Sequence, residues 1–494
     1  MSLDLQFNNL QITSGVLVNS NNKVECRIPL TEEELKGVIK VNAVTYLLSN
    51  EVVSGEVRYS GRAIFTIVYK NEEGIKKYES GVEYSYKFPC ESARENTAIQ
   101  GEVFIENTAI TELNGIVTAS GVIVYKGELT YKKQIEYFEK DKNLFVKNKE
   151  YDYIVELNCF SKESKIEEEF EESELISSVL LHSEKVSVSD CQCGIGSVIM
   201  GGDVEVNMVV LPIGKSLPVT ITKKIPYRIE VEVDGITPAN IASCCVCVKG
   251  ASLKVFVDEN KNKSSVSIEV NLSVLGKTYE TVNFYPCEDL YSQTREIYIE
   301  KEKVTLNKFY GYKCVDFKVD SEISINEDKN TRLICLLSDK IEEISVNGLD
   351  LTGAVSFDIL KSGEEIATES VIVPISYTLP LVGNSVSSLT ATVTDITINE
   401  VASKWIISFK VSLCYMDLAS FDVFVITKVT EGEDKPVNDS AISVYIPKPN
   451  DSLWDISKEL GVSEEEILKI NKDLTFPLSG EERIVIYREM LIKE

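Results

Sequence analysis

Apolar and polar residues alternate with a period of two along most of this chain, and one stretch of alternation returns three times. In the first copy Gly61 leads into Ala63, Phe65, Ile67 and Tyr69. A turn at Asn71-Glu72-Glu73-Gly74 follows, and a return stretch carries Val82 and Tyr84. In the second, Gly202 leads into Val204, Val206 and Met208 against Glu205 and Asn207; the turn glycine is Gly214, and Ile225-Pro226-Tyr227 follows. In the third, Gly353 leads into Val355, Phe357 and Ile359 against Ser356 and Asp358; the turn is Ser362-Gly363, and Ile375-Ser376-Tyr377 follows. Period-two alternation predicts strands with one face buried and one wet. Glycine suits hairpin turns because positive φ costs it nothing sterically.

A longer alternating stretch comes later in each copy. It runs through Val122, Val124 and Tyr125 in the first, Val266 to Val274 in the second, and Ile407 to Leu413 in the third. The leading glycines recur about 140–150 residues apart, a domain-sized period rather than a solenoid repeat. The fold class expected is therefore mainly β, with three diverged antiparallel repeat domains, sandwich- or barrel-like. Their bounds read as 1–160, 161–315 and 316–430. Ser161 to Ser173 reads as a charged linker or helix face, Asp316 to Arg332 as a second separation, and residues 431–440 as a Gly- and Pro-containing linker.

Over residues 441–490 the pattern changes to strand, helix, helix, strand. Val444-Tyr445-Ile446 is a short strand closed by Pro447 and Pro449. Ser452 with Asp455 three residues on reads as a capping box, and Leu453, Ile456 and Leu460 share one helical face. Gly461 ends that helix, Ser463 starts the next with Glu464, Glu465 and Glu466 in its first turn, and Asn471 closes it. Arg483 to Tyr487 returns as a strand.

The run Asn450-Asp451-Ser452-Leu453-Trp454-Asp455-Ile456-Ser457, followed by Gly461-Val462-Ser463, Asn471, Leu478-x-Gly480 and Ile484-x-Ile486, resembles a LysM domain. The resemblance implies a βααβ fold and a shallow groove for N-acetylglucosamine polymers. By position, Asp451, Ser452, Leu453 and Trp454 would form one wall, and Asn471, Leu474 and Leu478 the other. Two positions depart from the family: the usual glycine before the aspartate is Asn450, and the usual terminal Ile-Pro is Ile486-Tyr487.

Composition narrows the function. The 494 residues exceed what one core supports, at about 250–300 residues. Acidic residues number 78 against 51 basic, a net charge of −27, which repels nucleic acid and anionic lipid. Met1 to Gly15 lacks both a basic n-region and an apolar h-region, and no run of about 18 apolar residues follows. A cytoplasmic chain whose twelve cysteines stay thiols is the expectation, with no membrane insertion.

No catalytic constellation stands out, so the chain reads as non-enzymatic, without cofactor or metal. His182 is the single histidine and has no nucleophile motif around it. Gly214-Lys215-Ser216 lacks the glycine that a phosphate loop needs at Val209. Cys191-x-Cys193 and Cys244-Cys245-x-Cys247 lack Cys-x-x-Cys spacing, and the third copy has Ala391, Val393 and Asp395 in the corresponding region. They read as small apolar side chains, with substoichiometric zinc expected.

Three β-rich copies followed by a LysM module, with Gly61-Arg62-Ala63-x-Phe65 in the first, also resemble clostridial SPOCS/LysM spore-coat morphogenetic proteins of the SpoIVA-interacting (SipL) type. That resemblance implies a scaffold in the mother-cell cytoplasm at the forespore surface. It would tether the coat basement-layer protein SpoIVA, and other coat proteins, through the LysM and β-domains. The alternative is a wall-binding protein anchored to peptidoglycan by its LysM. Exposed strand edges would allow self-association.

Overall fold

A computed structural model describes residues 4–94, 97–258, 263–323, 332–362, 366–401, 404–436 and 440–487. The first unit holds β1 (Gln6–Ile28), α1 (Glu32–Lys36), β2 (Val38–Val53), β3 (Glu56–Asn71), β4 (Gly74–Pro89), β5 (Ala98–Leu113) and β6 (Ile116–Lys140). After the short β7 (Phe145–Asn148), the second unit holds β8 (Tyr151–Glu172), β9 (Ile176–Cys193), β10 (Ser197–Pro212), β11 (Val219–Glu232), β12 (Ile241–Asp258) and β13 (Lys263–Phe284). After β14 (Cys287–Tyr291), the third holds β15 (Arg295–Ile323), β16 (Arg332–Asn347), β17 (Asp350–Ser362), β18 (Ile366–Thr378), β19 (Ser385–Val401) and β20 (Lys404–Asp434).

Each unit is the same six-stranded sandwich. One sheet orders its strands first–sixth–fifth (β1-β6-β5, β8-β13-β12, β15-β20-β19), the other second–third–fourth (β2-β3-β4, β9-β10-β11, β16-β17-β18), and every pairing within these sheets is antiparallel. The third strand of each unit buries the repeat residues completely: Ala63, Phe65 and Ile67; Val204, Val206 and Met208; Val355, Phe357 and Ile359. The sixth strand faces them with Ile123 and Tyr125, with Val266 to Val274, and with Ile407 to Leu413. In β6 the inward register is Ile123 and Tyr125; Val122 is only half-buried.

The leading glycines owe their place to close approach. A Cβ on Gly61 would stand 2.3 Å from both the Tyr46 carbonyl and the Tyr84 hydroxyl; on Gly202 it would stand 1.9 Å from the Ser187 carbonyl. Tyr84 and Tyr227 pair directly opposite Gly61 and Gly202. The recurring Gly and aliphatic-x-Tyr signature is thus one cross-strand device, a ring laid over a bare backbone. The third copy differs, because Gly353 pairs with Ile375 and Tyr377 with Leu351. Gly74 and Gly214 adopt positive φ as expected, and Gly363 lies outside the described residues.

Several stretches expected to be linkers are strand. Ser161 to Glu172 lies inside β8 and pairs with β13 from Leu275 to Ser264. Its Ile166 and Phe170 pack on the core, while its glutamates line a sheet edge, where charge discourages pairing with other chains. Residues 316–323 fall within β15, whose Val315, Phe317 and Val319 pack on the third core, and residues 324–331 lie outside the described residues. Residues 431–434 still belong to β20, and residues 437–439 lie outside the described residues.

Two apolar clusters join the three sandwiches. In one, Leu10, Ile135 and Tyr137 of the first unit meet Tyr153 and Phe284 of the second and Val304, Leu306, Val423 and Val425 of the third. The other gathers Val68 and Ile75, then Leu180, Leu181 and Val209, then Cys335, Leu337 and Leu360. First and sixth strands of every unit supply the former cluster and the second–third–fourth sheets the latter, so the units close round a common junction. Polar faces expected to be wet serve the same contacts. Glu205, only 1% exposed, accepts from the Asp395 amide at 2.9 Å, and Asp358 pairs with Lys40 of the first unit. Lys185 pairs with Asp339 at 2.5 Å.

His182 lies on β9 where the second unit meets β4 of the first, its Nδ1 2.6 Å from Glu184, with Glu79 and Lys77 nearby. Burial lowers the imidazole pKa, but the bond to Glu184 and the carboxylates outweigh it, and the net shift is upward. The charged pair therefore stabilises the fold fully below the ordinary value of about 6.5, and its contribution is lost as pH rises through the raised value. Urea midpoints should fall between mildly acidic and alkaline buffer, and His182→Gln should flatten that fall. An unchanged pH slope in the variant would refute this assignment.

Candidate functional site

The C-terminal module is built as its sequence predicts. β21 (Ile442–Tyr445) pairs antiparallel with β22 (Ile484–Tyr487). Between them lie α2 (Leu453–Leu460) and α3 (Glu464–Ile470). Ser452 and Ser463 each close a capping box, with Asp455 and Glu466 respectively, and Gly461 ends α2 in the left-handed region at φ 63°. Ile456, Ile467, Leu478 and Ile484 form the module's core, with Leu453, Leu460 and Leu474 at its fringe.

The two loops expected to form a groove are tied together. Asn450, at φ 68°, donates its amide to the Leu478 carbonyl at 2.9 Å. Asparagine thus takes the positive φ that glycine would supply. The Asp451 carboxylate accepts from the Lys448 amide at 2.8 Å and shapes the turn. Asn471 clamps α3 to β22: its side chain donates to the Ile467 and Val485 carbonyls and accepts from the Val485 amide, all within 2.9 Å. Leu478 is core at 2% exposure. On the same loop Phe476 is 46% exposed, an apolar residue that the motif does not include.

Trp454 faces elsewhere. Its indole Nε1 donates to Asp289 Oδ2 at 2.8 Å, and its ring meets Tyr291 edge-on with centroids 5.1 Å apart. Lys458, one turn on, reaches Asp289 Oδ1 at 2.6 Å, and the Tyr291 hydroxyl donates to the Val462 carbonyl at 2.9 Å. Burial raises the Asp289 pKa, but the bonds from Lys458 and Trp454 outweigh it, and the net shift is downward. The anchor is β14, which pairs with β7, so the two connectors between sandwiches form the platform that holds the module. Asp289 and Tyr291 belong to no motif and lie more than 150 residues before Trp454, so only tertiary structure brings them together.

The module's outer face is apolar. Ile442, Val444, Ile446 and Tyr487 are 58–64% exposed, whereas inward-facing Ile484 and Ile486 are buried.

The cysteines of the two sequence clusters fall in different surroundings. Cys191 and Cys244 are buried in the second core, as small apolar side chains should be. Cys245 and Cys247 share one face of β12, half-buried. Among the described residues no group of three or more His, Cys, Asp or Glu side chains is placed to hold a metal ion, and no helix is long and apolar enough to cross a membrane.

Residues 445–477 match the LysM domain family model, so the chain carries a LysM domain near its C-terminus. Comparison with curated proteins and with solved structures finds no match.

Proposed function

We propose that this chain is a non-enzymatic assembly scaffold, in which three joined sandwiches hold a LysM module in a set orientation for binding. The observation that carries this reading is the clamp of Trp454 on Asp289 and Tyr291, which turns one side of the module into internal structure and leaves its apolar outer face free. A solvent-facing strip of Ile442, Val444, Ile446 and Tyr487 suits a protein surface better than a sugar polymer, which takes hydrogen bonds as well as ring contacts. In its specific form, the scaffold acts in endospore coat assembly and tethers SpoIVA at the forespore surface from the mother-cell cytoplasm. That form rests on the order of parts, three SPOCS-like repeats followed by a LysM.

The family match favours a second reading. LysM domains commonly bind N-acetylglucosamine-containing glycans, and the loops joined through Asn450 and Leu478, with Phe476 exposed beside them, would be the place for one. Both readings meet in one experiment with the full chain. It is sedimented with purified peptidoglycan and, separately, used to capture purified SpoIVA. Retention of SpoIVA, lost in a Val444→Asp/Ile446→Asp variant, with little sedimentation, is the expected result. Saturable sedimentation without SpoIVA capture would replace the scaffold with the wall-binding reading.

A further inference from the structure

The three sandwiches line a half-open cavity of about 570 Å³ between β1, β5 and β6 of the first unit, β12 and β13 of the second, and β19 of the third. Cys245 and Cys247 lie on its β12 wall, their sulfurs 3.5 Å apart, and Glu102 and Lys126 line the same space. We propose that Cys245 and Cys247 form a reversible dithiol–disulfide site that exchanges with small disulfides of the glutathione class.

The backbone permits the bridge. Residues i and i+2 of a strand are about 6.6 Å apart, from a rise of about 3.3 Å per residue, and disulfides span Cα separations up to about 6.8 Å. Both side chains share one face, and the register shift at Val248/Gly250 bends the strand just beyond them. In contrast, Cys191 and Cys244 are buried in the second core, although Cys244 also borders the cavity.

The chemistry follows from the sulfur contact. An S–H···S interaction eases loss of the pair's first proton and hinders loss of the second. The proton leaves Cys247, whose thiolate Cys245 stabilises by donation. That thiolate attacks one sulfur of the small disulfide, forming a mixed disulfide and releasing one thiolate. Cys245 then attacks the Cys247 sulfur of the mixed disulfide, closing the intramolecular bridge and releasing the second thiolate. The two protein protons end on the two released thiolates, so one small disulfide is reduced to two thiols as the protein loses two hydrogens.

The test uses the full chain, first reduced and then equilibrated with oxidised and reduced glutathione. After an acid quench it is denatured, alkylated and digested with trypsin, and the peptide Ile229–Lys249 is weighed and fragmented. The expected species carries one alkyl group, on Cys244, and is lighter by two hydrogens across Cys245–Cys247. Added dithiol should restore three alkylated cysteines. Cys245→Ser should trap glutathione on Cys247 as a stable mixed disulfide, whereas Cys244→Ser should keep the bridge. Three alkyl groups on the wild-type peptide after oxidation would overturn the proposal, as would a bridge to Cys244 or thiols protected by retained metal. The wild-type result stands without the variants, so a misfolded mutant would not decide it.

Discussion

Trp454→Ala is expected to release the LysM module from the sandwiches while leaving the module folded. The module's own core is Ile456, Ile467, Leu478 and Ile484, and Trp454 stands outside it, against Tyr291 and Asp289. Removing a buried tryptophan typically costs about 3–5 kcal/mol. Here that cost falls on the docking contact, because Asp289 loses its indole donor and Tyr291 its edge partner. The released module should become far more susceptible to protease, with little change in the unfolding midpoint of the sandwiches. Acid should act in the same direction. A carboxylate with a lowered folded pKa contributes stability above its unfolded value, about 3.9, and that contribution disappears as pH falls through the folded value. Release on acidification should therefore come only below the ordinary aspartate range, and Asp289→Asn should remove that acid step.

Phe284→Ala is expected to weaken the junction of all three units. Phe284 is 5% exposed and meets Tyr137 of the first unit edge-on at 5.1 Å and Tyr153 at 6.0 Å. Truncation leaves a cavity between neighbours fixed by long strands, at about 3–5 kcal/mol, and removes two aromatic pairs. Because the first- and second-unit partners lie in one cluster with Val304, Leu306, Val423 and Val425 of the third, unfolding should change from one cooperative transition to separable steps in calorimetry. Phe424→Ala is the control: Phe424 is 54% exposed, and its loss should change stability by less than about 0.5 kcal/mol. A Phe284→Ala protein that still unfolds in a single transition would contradict the shared junction.

The repeats were legible because alternation reports burial directly, and Ala63, Val204 and Val355 with their i+2 and i+4 neighbours are fully buried. The module was legible through its caps, since Ser452 and Ser463 take the hydrogen bonds their spacing implies. Edge strands were not. Ser161 to Glu172 places only Ile166 and Phe170 inward among many glutamates, and so reads as a linker although it is strand β8. Inter-unit burial was hidden for a different reason: Glu205 and Asp358 look like solvent-facing partners of an apolar face until the neighbouring unit covers them. Trp454 fits the groove motif by position, yet its environment is decided by Asp289 and Tyr291, whose contribution no local pattern announces.

The central claim is that Trp454 fixes the LysM module to the sandwich body and is not a sugar-contact residue. Trp405→Phe leaves Trp454 as the sole tryptophan of the chain. Its fluorescence in the intact protein should resist quenching by acrylamide, should become quenchable when Asp289→Ala is added, and should not respond to saturating N-acetylglucosamine oligomers. Ready quenching in the intact chain, or a saturable shift with the oligomers, would contradict it.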